Sequence, residues 1–142
     1  MTALSNMPAQ AMLPLAAYDL DELLRNANRS SQTVLRADFD GIDDKTGVME
    51  RLGEGFGLPA HFGGNLDALY DCMTDLTPKT GADQPGFVVI LQHLPASARF
   101  DRDQRDALLD VFRDAADFFF DKGIAFRVFY STVAASAARS VA

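Results

Sequence analysis

Apolar residues recur along this chain with two different periods. Between residues 101 and 122, DRDQRDALLDVFRDAADFFFDK, they return every three or four positions, so that Leu108, Val111, Phe112, Ala115 and Phe119 form one stripe. That is the period of an amphipathic helix, and Gly123 follows as a C-terminal stop. Residues 87–91, FVVIL, are apolar without a break, as in a central strand buried on both faces. TVLRADFD (33–40) and AFRVFY (125–130) read as two more strands. DLDELLRNAN (19–28) predicts a short helix, and another starts near Asp43 with Val48, Met49 and Leu52 on its apolar side. Gly53, Gly55 and Gly57 are expected to break up that second helix, and Pro59 to stop it. From residue 65, Leu66, Leu69, Tyr70, Met73 and Leu76 gather on one side of a helical projection, opposite Asp67, Asp71, Thr74 and Asp75. Asn65 is a good N-cap for it.

Strands alternating with helical segments imply a parallel sheet with right-handed crossovers. The expected fold is α/β, a small single domain in which a three-stranded parallel sheet packs with about four helices. Residues 1–17, rich in Ala, Met and Pro without a period, are expected to form a flexible tail. The domain is expected over 18–131, and a second tail over 132–142.

Composition narrows the class. The chain has 142 residues, 48% of them hydrophobic and 23% charged, which fits one ordinary globular domain. Its apolar runs are too short to span a bilayer. No basic residue precedes the weak apolar stretch near the N-terminus, which argues against a secretory signal. A single cysteine, Cys72, excludes an internal disulfide and a multi-cysteine zinc site, and a reducing cytoplasm is the expected compartment.

The net charge is −7, and all of it lies in one segment: residues 38–84 hold ten acids and three bases, whereas 1–37 and 85–142 are each balanced. Such a field repels nucleic acid and attracts a basic partner. It also serves solubility alone. Asp67 and Asp71 stand one helical turn apart at its centre, an arrangement that costs a few tenths of a kcal/mol.

The other chemistries fare worse. His61 and His93 are the only histidines and have no HExxH-type spacing, so no metal site is expected. A Cys72–His61 catalytic pair would need an accessible thiol, but Cys72 flanks Leu69 and Met73 and is expected to be a buried, unreactive one. Asp67 and Asp71 point outward with nothing to desolvate them, which weighs against acid–base catalysis. Asp110, Asp114, Asp117 and Asp121 form a second carboxylate face on the last helix, which reads equally as a solvated surface.

Residues 58–72, LPAHFGGNLDALYDC, resemble the signature of the barstar family, bacterial inhibitors of secreted ribonucleases. The resemblance rests on Leu58, Pro59, Phe62, Gly63, Asn65, Leu66, Asp67, Ala68, Leu69, Tyr70, Asp71 and Cys72. It runs more weakly from about residue 33 to 131, including VFRDA (111–115) and a closing strand ending in Ser131. It implies an inhibitor, not an enzyme, that plugs a nuclease active site with an acidic helix and the loop before it. By this resemblance Asp71 stands where substrate phosphate would sit, Asp67 is a second interface acid, and Asp114 meets a base of the nuclease. His61 takes the place of an interface tyrosine, Tyr70 that of a tryptophan, and Gly64 that of a residue often charged. A further acid expected near Phe118 is displaced to Asp117 or Asp121, and the last helix is about one turn longer. The implied partner-binding set is His61, Phe62, Gly63, Asn65, Asp67, Tyr70, Asp71, Thr74, Asp75 and Asp114. The partner is a basic extracellular-type ribonuclease or related toxin. No cofactor, metal, nucleic acid or membrane is expected, and the free chain is expected to be a monomer. Two alternatives remain: a barstar-like module for a basic partner that is not a nuclease, and a small enzyme using Asp71 and His61.

Overall fold

The computed structural model describes residues 4–59 and 64–133. Their elements in chain order are β1 (Gln10–Pro14), α1 (Leu20–Arg29), β2 (Thr33–Asp38), α2 (Lys45–Phe56), α3 (Leu66–Thr74), β3 (Gly86–Leu94), α4 (Arg102–Asp121) and β4 (Ala125–Thr132). Short 3₁₀ turns occupy Leu4–Asn6 and Leu15–Ala17. The strands form one parallel sheet in the order β1-β4-β3-β2.

The side-chain alternation of β3 sorts the core into two layers. Phe87, Val89 and Leu91 face α2, α3 and α4, where they meet Leu52, Leu69, Met73, Phe112 and Phe119. Val88 and Ile90 face the other way, onto Leu23 and Ala27 of α1 and onto Leu4, Met7 and Leu15. A strand buried on both faces is what the unbroken apolar run predicts. The helices start where short polar side chains satisfy their free N–H groups. The Asp44 carboxylate accepts from the Gly47 N–H at 2.8 Å, and Asp101 forms a reciprocal capping box with Gln104. Each such cap contributes about 1 kcal/mol.

Two expectations are corrected. The sheet has four strands, not three, because residues 10–14 pair in parallel with β4 from Gln10↔Phe126 to Pro14↔Tyr130. A segment read as part of a loose tail is therefore an edge strand. Its residues Gln10–Leu13 are all half-buried, with Met12 packed on one core layer and Leu13 on the other. A five-residue strand ending in proline shows no alternation to read. Arg127 holds the chain just before it, donating from Nε to the Pro8 carbonyl at 3.0 Å and from an Nη to that of Met7 at 3.4 Å.

The second correction concerns glycine. The helix α2 runs through Gly53 and Gly55 to Phe56 and stops at Gly57, where φ is +64°. Gly55 does not break the helix but lets it approach β2: a Cβ there would lie 2.3 Å from the Arg36 carbonyl oxygen. At the far end of the sheet β3 is irregular between Leu91 and Leu94. His93 lies there with φ +58°. Its N–H donates to Ser131 Oγ, and its Nδ1 lies 2.7 Å from Asp38 Oδ1. Partial burial pushes the Asp38 pKa up, but the His93 hydrogen bond, the Asp40 N–H and the charges of His93 and Arg51 outweigh it and bring the pKa below its ordinary value of 3.8.

Two outcomes follow for stability. Gly55→Ala adds about 0.5–1 kcal/mol of helix propensity, but the clash with immobile backbone costs about 1–3 kcal/mol. The variant should be destabilised in chemical denaturation; a raised midpoint would contradict this packing. Because the folded-state pKa of Asp38 is depressed, its contribution is present above the unfolded value and is lost as pH falls through the folded one. Both partners are about half exposed, at 46% and 47%, so the contribution is at most about 1 kcal/mol. Asp38→Asn should therefore lose stability slightly at neutral pH and flatten the acid limb below about pH 4; an unchanged acid limb would remove the pair from the account.

Candidate protein-binding face

Asn65 opens α3, its side-chain oxygen accepting from the Ala68 N–H at 2.8 Å. Gly64 before it has φ +70°, in the left-handed region where glycine carries no steric penalty. Leu69 and Met73 are fully buried, while Leu66, Tyr70 and Leu76 are partly buried against the same core. With that side pinned, the opposite side must face solvent. Asp67, Asp71 and Asp75 are all exposed, and none makes an ion pair with a described residue.

The three carboxylates differ electrostatically. Asp67 lies in the first helical turn, where the helix dipole favours an anion. Asp75 is the C-cap residue, where the dipole opposes it. Asp71 stands between them, each neighbour one turn away and about 40° around the axis. The helix thus presents repulsion that a cationic surface would relieve.

The other expected site residues divide. Tyr70 is half-buried and meets the Phe118 ring edge-on at 6.5 Å between centroids. Lys122 Nζ sits 4.9 Å from the centre of that Phe118 ring. Asp114 is exposed one helical turn before Phe118, which places it on the α4 side that meets α3. Thr74 is half-buried, and its hydroxyl is engaged by its own helix, donating to the Tyr70 carbonyl at 2.8 Å and the Asp71 carbonyl at 3.2 Å. His61, Phe62 and Gly63 lie outside the described residues.

Cys72 is half-buried, a correction to the expectation of a buried thiol. Desolvation, together with the Asp75 and Asp71 charges, raises its pKa, so few molecules carry the thiolate at neutral pH. The second carboxylate face also splits. Asp110 pairs with Arg113 at 2.6 Å and Asp117 accepts from the Gln10 side chain of β1. Asp117, though exposed, is thus engaged at the sheet edge, and Asp121 is exposed three residues after Phe118. Sequence reasoning missed Arg127, a buried charge whose only signal was a lone basic residue in an apolar strand, and missed the Asp38–His93 contact, which depends on register between β2 and β3.

Among the described residues no helix is long and apolar enough to cross a membrane. A comparison with curated proteins gives no match. The family model described as Barstar (barnase inhibitor) matches residues 32–131. That span covers β2 through β4 and includes α3, and it leaves out β1 and α1. With well over half of its length matched, an acidic helix seated as described and the sheet running in parallel, the chain belongs to the barstar family.

Proposed function

We propose that this protein inhibits a basic ribonuclease by covering its active site with α3 and the loop before it. The observation that carries this reading is the row of exposed carboxylates Asp67, Asp71 and Asp75, paired with no described residue, on a helix anchored by Leu69 and Met73. A ribonuclease site must be basic to bind phosphate and to stabilise the charge that develops during cleavage. Carboxylates on a preformed helix offer those bases a partner that cannot be cleaved. Membership of a family described by barnase inhibition supports the same conclusion.

Position on α3 and α4, and the resemblance for the loop before α3, support a role for each residue. Asp71 is central and pairs with the phosphate-binding bases, with Asp67 and Asp114 on either side. Tyr70, held against Phe118, supplies an aromatic surface at the edge; by the resemblance His61 and Phe62 are further partner-binding residues. Gly63 and Asn65 allow close approach of the loop. Thr74 contributes through its backbone position rather than its hydroxyl, and Asp75 lies nearer the rim. The partner is of the extracellular type, and a reducing cytoplasm, where the unpaired Cys72 is stable, is where the inhibitor protects the cell that makes it.

Inhibition of a barnase-type ribonuclease by the purified chain, titrated against its variants, is the test. Truncating one partner of a buried charge pair costs about 2–5 kcal/mol, so Asp71→Ala should weaken inhibition roughly 30-fold to several thousand-fold. Asp75→Ala should cost less than about 1 kcal/mol. Both variants should melt at or slightly above the parent temperature, because each removes like-charge repulsion. Full inhibition by folded Asp71→Ala would refute this binding mode. The association rate should also fall steeply between low and physiological salt, since exposed charges steer over about 10 Å at 0.1 M; a salt-independent rate would argue for an apolar interface.

A further inference from the structure

A cavity of about 290 Å³ opens where the strands begin, and none of its lining residues belongs to α3 or α4. One wall is Leu4 and the turn Arg29–Ser31, from the part of the chain the family match leaves out; the other is Gln32, residues 81–84 and Arg127. The junction between the additional N-terminal segment and the family-matched domain therefore creates a space that inhibition does not explain.

Its charge is unusual for this molecule. Two guanidiniums, Arg29 and Arg127, and one carboxylate, Asp83, line it, giving +1 in a chain of net charge −7. Arg127 is only 5% exposed, and no carboxylate among the described residues lies within ion-pair distance of it. Its Nε and one Nη are spent on the Pro8 and Met7 carbonyls, and its remaining nitrogen bonds to no described residue. Burying a guanidinium without an anion is costly, and neutral carbonyls compensate only in part. Burial accordingly pulls the Arg127 pKa down.

The walls are held in place before any ligand arrives. Gln32 Nε2 donates to the carbonyls of Ser30 and Gln84, joining the two sides, and Gln84 Nε2 donates to the Gly123 carbonyl at 2.8 Å. Ser30 and Ser31 add hydroxyl donors at the rim beside Arg29. Arg29 also complements the negative end of α1, but that role leaves the Arg127 charge unanswered. The volume is at the lower limit of small-molecule sites, about 300 Å³, larger than a bare oxyanion needs.

We infer that this cavity binds a phosphate-bearing small anion, with Arg127 at its floor and Arg29, Ser30 and Ser31 at its mouth. The phosphoryl group is the recognised chemistry, since guanidinium forks match its oxygens. It can come from free phosphate or from a nucleoside monophosphate. Asp83 on the exposed loop opposes the anion and sets its affinity.

The test is calorimetric titration of the full chain with inorganic phosphate and, separately, with a nucleoside monophosphate, at ionic strength held constant with chloride. Saturable one-to-one binding of either probe is expected; tighter binding of the nucleotide shows that the remaining volume takes the nucleoside. The Arg29 guanidinium also donates to the Asn26 side-chain oxygen; Arg29→Gln should weaken binding about tenfold or more, well beyond what the small accompanying loss of stability explains. Arg127→Lys should weaken it similarly while keeping the charge, and Asp83→Asn should tighten it. A lack of saturable binding by both probes would overturn the site, as would binding unchanged by Arg29→Gln and Asp83→Asn.

Discussion

Leu69 and Met73 have no exposed surface, and their burial decides how α3 can turn about its axis. Two fully buried large side chains contribute about 3–6 kcal/mol together, whereas like-charge neighbours on one helix cost only a few tenths of a kcal/mol per pair. The apolar anchor therefore wins easily over the repulsion among Asp67, Asp71 and Asp75. A helix free to rotate would spread those charges or seek internal bases. Held by the core, it presents them together to solvent. The site depends on this difference in magnitude: fold stability maintains an arrangement that electrostatics alone would disperse.

The same contrast explains what was legible in the sequence. The apolar stripe of α4, the unbroken run of β3 and the Asn65 cap are local signals, and each element appears where its signal places it. The acidic side of α3 was readable because nine residues with a clear apolar side leave no choice of orientation. The fourth strand was not readable, because β1 draws its stability from register with β4 and from Arg127, both distant in sequence. Gly55 was misread for a related reason: a mid-helix glycine looks like a break until the Arg36 carbonyl beside it is known. Thr74 looked outward by projection, but its hydroxyl found a backbone acceptor one turn back, a competition common for this residue type.

Residues 4–31 lie outside the family-matched span and pack on the sheet away from α3. They add a strand beyond β4 and cover the sheet face opposite α2, α3 and α4, where Leu4, Met7, Leu15, Leu23 and Ala27 pack on Val88, Ile90 and Phe129. A strand as apolar as β3 needs cover on both sides, and this segment supplies the second cover. One layer of the molecule thus presents α3, and the other completes the core.

Amide hydrogen exchange of the chain, free and saturated with a barnase-type ribonuclease, tests the central claim most directly. The account predicts protection concentrated over residues 64–75 and the turn of α4 around Asp114, with β1 and the cavity beside Arg127 unchanged. A complex that protects the β1 edge or the α1 face while α3 exchanges as in the free protein would contradict it.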